Sequence, residues 1–282
     1  MGPVRMQTTT TVITADGERT RLDLGELLRY RDLLVVLAYR DYRVRYAQTL
    51  LGLAWAFIQP TTTLLVFSMV FGRAVGIDTG VIPYPLFAVC GMAVWSYFAY
   101  VVSQSGTSII GAQEMIKKIY FPRLVIPLSK AAVGFIDFGI AAMLILALLL
   151  YYGVAPSSHI VFLPLFAAVG VVAALAVGIW TSALTIRFRD FQHVVPFVVQ
   201  VGLYATPVGY PAALVTDAVP GWAGVLYYLN PMAGITEGFR WALLGTNPPN
   251  ILSYVSLGVT LILLLGGVFY FKSVERTMAD LV

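Results

Sequence analysis

The sequence predicts an all-α integral membrane protein with six transmembrane helices, and three observations support that prediction. Hydrophobic residues make up 59% of the 282 positions and charged residues only 11%, with a mean hydropathy of +0.83. Soluble domains carry about 25% charged residues. Six segments approach the roughly 20 apolar residues that a spanning helix needs. Lysine and arginine also concentrate in alternate loops, as is typical of multi-pass membrane proteins.

The first 45 residues precede the apolar segments and divide into two parts. Residues 1–22 are polar and threonine-rich and lack the apolar core of a secretory signal, so we expect a flexible cytoplasmic tail. In residues 23–45, apolar positions recur at roughly helical spacing and end in a basic cluster of Arg40, Arg43 and Arg45. This pattern predicts an amphipathic helix in the membrane surface. An ordinary cytoplasmic helix packed on a partner is the alternative.

Six apolar segments follow the basic cluster, and the fifth is the shortest. The predicted spans are residues 51–75, 84–107, 131–152, 161–186, 194–210 and 252–271. Between the second and third spans, residues 111–123 form a short charged connection with a predicted helical turn that ends at Pro122.

The connection between the fifth and sixth spans, residues 211–250, is long but apolar. It contains two half-length segments separated by Asn230 and Pro231, where proline restricts the preceding residue. Because these segments are too short to span, we predict re-entrant or interfacial helices on the outer side. Irregular backbone at membrane depth persists only where it lines protein or a water-filled cavity, so an outer cavity is also expected.

The distribution of basic residues predicts the orientation. With six spans both termini lie on one side, and that side receives every lysine and arginine except Arg73 and Arg240. Because cytoplasmic loops are enriched in lysine and arginine, both termini are predicted to be cytoplasmic. The net charge of +4 is thereby explained by topology, which argues against a nucleic-acid partner.

No reaction centre is evident in the sequence. Phosphate-binding glycine loops and metalloprotease or hydrolase motifs are absent, and His159 and His193 are isolated. We therefore expect a chain that is not an enzyme and that binds no metal or cofactor itself. The ionisable residue deep in a predicted span is Asp137, with Lys130 two turns earlier as its expected partner. Asp137 is either a structural inward-facing group or part of a conduit.

Two further groups of residues have alternative explanations. Glu237 and Arg240 are three residues apart and are expected to pair on one helix, either as a structural anchor or as a gate. Aromatic residues make up 13% of the chain, and they form either interfacial belts or an aromatic conduit suited to sugars. The aromatic candidates are Trp55, Phe57, Trp95, Tyr97, Tyr100, Tyr204 and Tyr210.

Several short motifs follow one another along the chain in the order and spacing of a known family. The first block matches at Arg45, Tyr46, Thr49, Leu51, Gly52, Trp55, Pro60, Phe71 and Gly72. Later matches are Lys118, Phe121, Pro122 and Arg123; Phe188, Arg189 and Asp190; Thr206, Pro207, Val208 and Tyr210; and Asn230, Pro231, Phe239 and Arg240. With these motifs the chain resembles the membrane subunit of ABC-2 type polysaccharide exporters, and the resemblance covers nearly everything from about residue 24 onward.

The resemblance implies a function and partners. Such a chain is the non-catalytic transmembrane subunit of an ATP-driven exporter of lipid-linked polysaccharide, such as O-antigen, teichoic acid or capsular polysaccharide, in the bacterial cytoplasmic (inner) membrane. It implies a homodimer of the ABC-2 transmembrane domain, here residues 46–282, with a conduit at the two-fold axis. Two separate ATP-binding cassette subunits hold ATP and Mg²⁺.

The resemblance also implies roles for residues. Those that couple motion from the ATP-binding subunits are Glu114, Lys117, Lys118 and Arg123. The outer gate comprises Asn230, Pro231, Glu237 and Arg240. Substrate would enter near Arg40, Arg43 and Arg45, where basic groups favour its pyrophosphate. We expect Pro60, which interrupts the helical hydrogen bonds of the first span, to shape the conduit wall.

Three other functions remain as alternatives to polysaccharide export. An ABC-2 exporter of drugs or small lipids is the nearest. A membrane-embedded glycosyltransferase would need a carboxylate pair or an acidic and basic cluster on the outer face, where only Asp217, Glu237 and Arg240 are available. A secondary transporter usually shows an internal repeat and more spans.

Overall fold

The computed structural model describes residues 24–46, residue 52 and residues 54–275, and all of their regular structure is helical. The predicted tail, residues 1–22, lies outside the described residues. In chain order the helices are α1 (Leu24–Arg29), α2 (Arg31–Tyr46), α3 (Ala54–Phe67), α4 (Tyr84–Gly111), α5 (Gln113–Lys118), α6 (Val125–Tyr152), α7 (Leu163–Arg187), α8 (Phe191–Ala205), α9 (Ala213–Thr216), α10 (Gly221–Tyr227), α11 (Pro231–Leu244) and α12 (Ser253–Glu275). A π-helix, Ser68–Ala74, continues α3, and a 3₁₀ turn, Ser158–Phe162, precedes α7.

Within the described ranges, five helical segments are long and apolar enough to cross a membrane. They are Ala54–Ala74, Tyr84–Gly111, Val125–Tyr152, Ser158–Arg187 and Ser253–Glu275. The all-helical, multi-span architecture predicted from the sequence is therefore confirmed. The fifth predicted span forms α8, which has 15 residues and is too short to qualify by length alone.

Helix α4 forms the centre of the bundle. It contacts α6, α7, α8 and α11, and most of its residues are buried. Close packing against α7 depends on small residues, because a Cβ added to Gly178 would lie 2.9 Å from Oγ of Ser105 on α4. Membrane helices associate through such small residues, which let the backbones approach.

Helix α8 runs antiparallel along α4, and the turn that follows it continues in the same direction. Val195 near the start of α8 lies opposite Gly106, and Gly202 near its end lies against the ring of Trp95. Beyond the helix, the carbonyl of Gly209 accepts a hydrogen bond from the Tyr84 hydroxyl at 2.8 Å. The segment from Val195 to Gly209 thus follows α4 from Gly106 to Tyr84, about 33 Å at 1.5 Å per residue.

Helices α1 and α2 form the predicted N-terminal helix, with a break at Tyr30. One face of α2 packs on α6 and buries Leu37, with Leu34 beside it. The opposite face of α2 exposes the apolar side chains of Val35 and Tyr39, and Val36 of α2 and Leu28 of α1 are also exposed. An apolar face that no other described helix covers suits a helix lying in the membrane surface.

The connection from 211 to 250 contains α9, α10 and α11, and the two predicted half-length segments are confirmed as α10 and α11. Asn230 separates them and caps α11, because its side-chain oxygen accepts a hydrogen bond from the backbone N–H of Met232 at 3.0 Å. Pro231 occupies the first turn, where its missing N–H costs nothing. Helix α11 is largely buried against α4, α7 and α12.

The charged connection after α4 contains the predicted helical turn as α5, but the predicted end at Pro122 is wrong. Helix α5 ends at Lys118, and Ile119 is already extended. Pro122 lies further along, in a buried segment beside Phe121. That segment anchors the connection to the bundle, whereas α5 itself exposes Lys117 and Lys118.

Candidate functional site

A group of charged side chains connects α2 to α6 near the end of the bundle that carries α5. We refer to Arg40, Asp41, Arg45, Lys130 and Asp137 as the α2–α6 ion-pair cluster. Nη1 of Arg45 donates to Oδ2 of Asp137 at 2.6 Å, and Nζ of Lys130 donates to Oδ2 of Asp41. Both carboxylates are largely shielded, with 15% and 18% of the side chains of Asp41 and Asp137 exposed.

The predicted pairing of Lys130 with Asp137 is therefore wrong. Their spacing places them two turns apart on α6, but α2 packs along that helix and provides a closer partner for each. Asp41 and Arg45 are one turn apart on α2, so both can reach α6 at once. Spacing along one helix cannot reveal these partners, because they lie about 90 positions away in the chain.

Each carboxylate of the α2–α6 ion-pair cluster also has a second partner on its other oxygen. Oδ1 of Asp41 accepts from Nε and Nη2 of Arg40 at 3.2 and 3.0 Å. Oδ1 of Asp137 accepts from the hydroxyl of Tyr46 at 2.5 Å. Both buried acceptors are thus satisfied by two donors each, as buried charges require.

Two cavities flank Arg45. The larger, about 290 Å³, is lined by Asp41, Val44, Arg45, Tyr100, Gln104 and Lys130, and we call it the Arg45 cavity. The smaller, about 150 Å³, is lined by Arg45, Tyr46, Gly52, Trp55, Ala56 and Gln59. The guanidinium of Arg45 also stacks over the ring of Tyr100, 4.5 Å from its centroid. This arrangement brings together a cation, an aromatic ring and amide groups from α2, α3 and α4.

The residues predicted for substrate access are only partly brought together. Arg40 and Arg45 both belong to the α2–α6 ion-pair cluster. The guanidinium of Arg43 instead lies over the ring of Tyr39, 5.9 Å from its centroid, and is exposed. Lys130 lines the Arg45 cavity but was assigned in the sequence only as a partner for Asp137.

The aromatic candidates occupy different environments. Trp55, Phe57 and Tyr204 are exposed on α3 and α8. Trp95 and Tyr97 are buried within the chain, where Tyr97 donates to the carbonyl of Ala131 at 3.2 Å. Tyr210 donates to the carbonyl of Tyr204 at 2.9 Å. Because Trp95 and Tyr97 are buried between helices of one chain, their side chains contribute to packing within that chain.

Polar side chains are exposed along the middle of α4, a feature that the sequence analysis missed. Ser96, Gln104 and Thr107 are exposed and Ser103 partly so, and we call these four the α4 polar stripe. Their spacing places them on one side of the helix, roughly opposite Ser105, which faces α7. The available signal was the presence of these polar residues inside a predicted span, whereas the sequence prediction for this span used only its aromatic residues.

Two helices beside α4 also expose polar groups. Gln59 and Thr62 are exposed on α3, and Gln200 is exposed on α8. Pro60 lies inside α3 next to Gln59. Helices α3 and α8 both contact α4.

At the opposite end of the bundle, Arg240 of α11 holds three backbone carbonyls. Its side chain is buried, with 2% of the residue exposed. Nε donates to the carbonyl of Phe87 at 3.0 Å, Nη1 donates to that of Pro207 at 2.5 Å, and Nη2 donates to that of Val208. We call these contacts the Arg240 clasp. They join α11 to the start of α4 and to the turn after α8.

The predicted ion pair between Glu237 and Arg240 is wrong. Glu237 accepts a hydrogen bond from the hydroxyl of Tyr228 at 2.5 Å, whereas Arg240 points to the carbonyls of the clasp. Carbonyl groups of a non-helical turn need buried donors, and a planar guanidinium supplies several at fixed geometry. Asn230 reinforces the same turn, because its Nδ2 donates to Oγ1 of Thr206 at 2.7 Å.

A cavity of about 850 Å³ opens beside the Arg240 clasp. Its walls come from three connections, residues 78–82, 211–218 and 245–248, and its lining includes Glu237 and Arg240. A cavity beside irregular backbone was expected from the sequence for this region. It brings Asp78 and Asp217 to the same rim.

The predicted coupling residues divide into an exposed group and an anchored one. Glu114 and Lys118 pair at 3.3 Å on the surface of α5, and Lys117 is exposed beside them. Arg123 is held by the end of α12, because its Nη1 donates to the carbonyl of Glu275 at 2.6 Å. Its backbone N–H donates to Oε1 of the same residue at 3.0 Å. Helix α5 therefore extends from a segment fixed to α12.

Among the described residues, no three of the histidine, cysteine, aspartate and glutamate side chains lie close enough to hold a metal ion. Cys90 is buried in α4. His159 lies in the 3₁₀ turn before α7, where its ring stacks on Trp241 with 4.4 Å between centroids. The polar features that remain are the α2–α6 ion-pair cluster, the α4 polar stripe and the Arg240 clasp.

Comparison with known proteins gives consistent matches. The sequence profile of the ABC-2 type transporter family matches residues 32–244. The chain is 28% identical over 256 residues to the O-antigen export system permease protein RfbA of Myxococcus xanthus, covering 90% of this chain and 97% of that protein. It is 31% identical over 224 residues to the O-antigen export system permease protein RfbA of Klebsiella pneumoniae, covering 79% and 83%. The inner membrane transport permease YadH of Escherichia coli K12 is 25% identical over 200 residues, covering 67% and 76%.

Proposed function

This chain belongs to the ABC-2 type transporter family, and on that premise we propose that it is the membrane subunit of an ATP-driven exporter of lipid-linked polysaccharide. The supporting observation is its similarity, over most of both chains, to two O-antigen export system permeases. The membrane is the bacterial cytoplasmic membrane, and the cargo is a cell-envelope glycan such as O-antigen. The chain itself is a non-catalytic conduit, and ATP and Mg²⁺ are bound by a partner.

We propose six crossings, with α8 and the turn after it as the fifth. The segment from Val195 to Gly209 follows about 33 Å of α4, close to the roughly 30 Å thickness of the hydrocarbon core. The turn within this depth has its carbonyls satisfied by Arg240, as backbone inside a membrane requires. Six crossings place both termini in the cytoplasm, on the side that carries most of the basic residues.

Two copies of the chain form the conduit in this proposal. Lipid cannot hydrogen-bond to the α4 polar stripe or to Gln59 and Gln200, so facing lipid would be unfavourable for these exposed groups. A second copy that encloses a water-filled passage would satisfy them. The hydroxyl and amide groups of this passage would hydrogen-bond to sugar hydroxyls. The buried Arg240 clasp, with α10 and α11 as re-entrant helices, would shape its outer mouth.

Helix α5 is the proposed contact with the ATP-binding subunits. It is exposed and cationic, and the segment that follows it is fixed to α12 through Arg123. We expect Lys117→Glu combined with Lys118→Glu to lower co-purification of the ATP-binding subunit about tenfold, because complementary charges set association at interfaces. The matched control is Arg31→Glu, an exposed charge on α2 whose ion pair among the described residues is with the exposed Asp32. Equal losses in both variants would contradict a specific α5 contact.

ATP hydrolysis by the complex tests the proposed cargo. The chain is co-purified with its ATP-binding subunit, and hydrolysis is measured with lipid-linked oligosaccharide or with small hydrophobic compounds. We expect severalfold stimulation by the lipid-linked oligosaccharide alone. Stimulation by the small hydrophobic compounds alone would instead indicate an exporter of drugs or simple lipids.

A further inference from the structure

The Arg45 cavity contains two cations that are both neutralised in the resting chain. Arg45 is paired with Asp137, and Lys130 is paired with Asp41. Both cations line the cavity together with Gln104 and the ring of Tyr100. Two cations with adjacent hydrogen-bond donors make a suitable site for phosphate groups. In the resting arrangement, carboxylates occupy the positions that phosphate oxygens would take.

The two carboxylates can give up these cations without becoming unpaired. If Lys130 were taken by another anion, Asp41 would retain its two hydrogen bonds from Arg40. If Arg45 were taken, Asp137 would retain its hydrogen bond from Tyr46. Leaving a buried charge without any partner is the usual cost of breaking such a pair, and both acids avoid it.

We propose that Arg45 and Lys130 form a diphosphate-binding subsite that opens by exchange of ion pairs. The diphosphate takes the place of the Oδ2 atoms of Asp137 and Asp41, with Gln104 as a further donor. The cavity of about 290 Å³ approaches the size range of small-molecule sites, which is ample for a diphosphate group. The inference rests on the proposed function, because a lipid-linked glycan supplies the diphosphate.

The exchange has a consequence for α2. The pairs of Arg45 with Asp137 and of Lys130 with Asp41 are the direct ion pairs between α2 and α6 in the described chain. When a diphosphate holds both cations, it bridges Arg45 of α2 and Lys130 of α6, and α2 also remains on α6 through apolar contacts around Leu37. The diphosphate therefore replaces two direct ion pairs with one bridging anion, so that arrival of cargo changes how the helix at the membrane surface is attached to α6.

Pyrophosphate binding to the purified full-length chain tests this subsite. Inorganic pyrophosphate is titrated calorimetrically at constant ionic strength, without partner or glycan. We expect saturable binding that Lys130→Gln weakens about tenfold and Lys130→Arg retains, because one charge-assisted contact is lost in the first variant and kept in the second. Asp41→Asn and Asp137→Asn are each expected to tighten binding by roughly threefold to tenfold, because a competing anion is removed.

Arg31→Gln is the matched control, since Arg31 lies at the start of the same helix outside the cavity and is expected to change the affinity by less than about twofold. The melting temperature of each variant shows whether it remains folded. The two aspartate variants test the two ion pairs independently. Weaker binding in both folded aspartate variants, or no saturable binding in the unmodified chain, would overturn the subsite. Because no glycan or ATP is present, such a result would leave the proposed export function unaffected.

Discussion

Replacing Arg240 with leucine is expected to give the largest loss of stability of any single substitution in the described chain. The change removes the donors to the carbonyls of Phe87, Pro207 and Val208, all of which lie in a buried region. Each buried carbonyl left without a donor costs about 1–3 kcal/mol, so we expect the free energy of unfolding to fall by about 3–5 kcal/mol. Reversible unfolding in mixed micelles measures this free energy of unfolding.

Two further variants make this prediction specific to the clasp. Arg73→Leu is the matched control, because Arg73 is also assigned to the outer side but is exposed, and we expect a change of about 0.5 kcal/mol or less. Gly91→Ala is also expected to disturb the clasp, since its added Cβ would lie against Nη2 of Arg240 and 2.7 Å from the carbonyl oxygen of Val208. If the Arg240→Leu variant had the same free energy of unfolding as the Arg73→Leu variant, the structural role of the clasp would be contradicted.

Replacing Ser96 with tryptophan is expected to give the largest loss of transport with assembly intact. Ser96 lies near the middle of α4 and is exposed, so an indole there would project into the proposed conduit. We expect glycan translocation to fall more than about tenfold, because blocking a passage affects every transport cycle, while the melting temperature changes little. Translocation into proteoliposomes and scanning fluorimetry measure the two quantities.

Ile262→Trp is the matched control for Ser96→Trp. Ile262 lies on α12 with 71% of its surface exposed, and α12 packs on α7 and α11 away from the α4 polar stripe. A large apolar side chain is tolerated where a helix faces lipid. If Ser96→Trp and Ile262→Trp transported glycan equally well, the α4 polar stripe would not line the conduit.

The sequence predicted the helical architecture well because long apolar segments are a local property. Spans such as Val125–Tyr152 need only length and hydropathy to be recognised. Length and hydropathy are not sufficient to recognise α8 as a span, because the helix has only 15 residues. The turn that follows it extends the segment as far as Tyr84 of α4. The Asn230–Pro231 break was equally local, because cap and proline preferences act on neighbouring residues.

The polar contacts were harder to predict because their partners are distant in the chain or belong to the backbone. Asp137 was assigned to Lys130 on the same helix, yet its partner is Arg45, which lies 92 positions away and reaches it from α2. Arg240 was assigned to Glu237, yet its partners are carbonyls, which every residue carries and no sequence pattern marks. The α4 polar stripe, in contrast, was visible as serine and glutamine inside a span.

The central claim is that two copies of this chain form a passive conduit driven by a separate ATP-binding subunit. Translocation of a lipid-linked oligosaccharide into proteoliposomes tests it, with the chain alone, with the partner, and with a partner that binds ATP without hydrolysing it. We predict translocation only with the active partner and ATP. Translocation by the chain alone, or at an equal rate with the inactive partner, would contradict the claim.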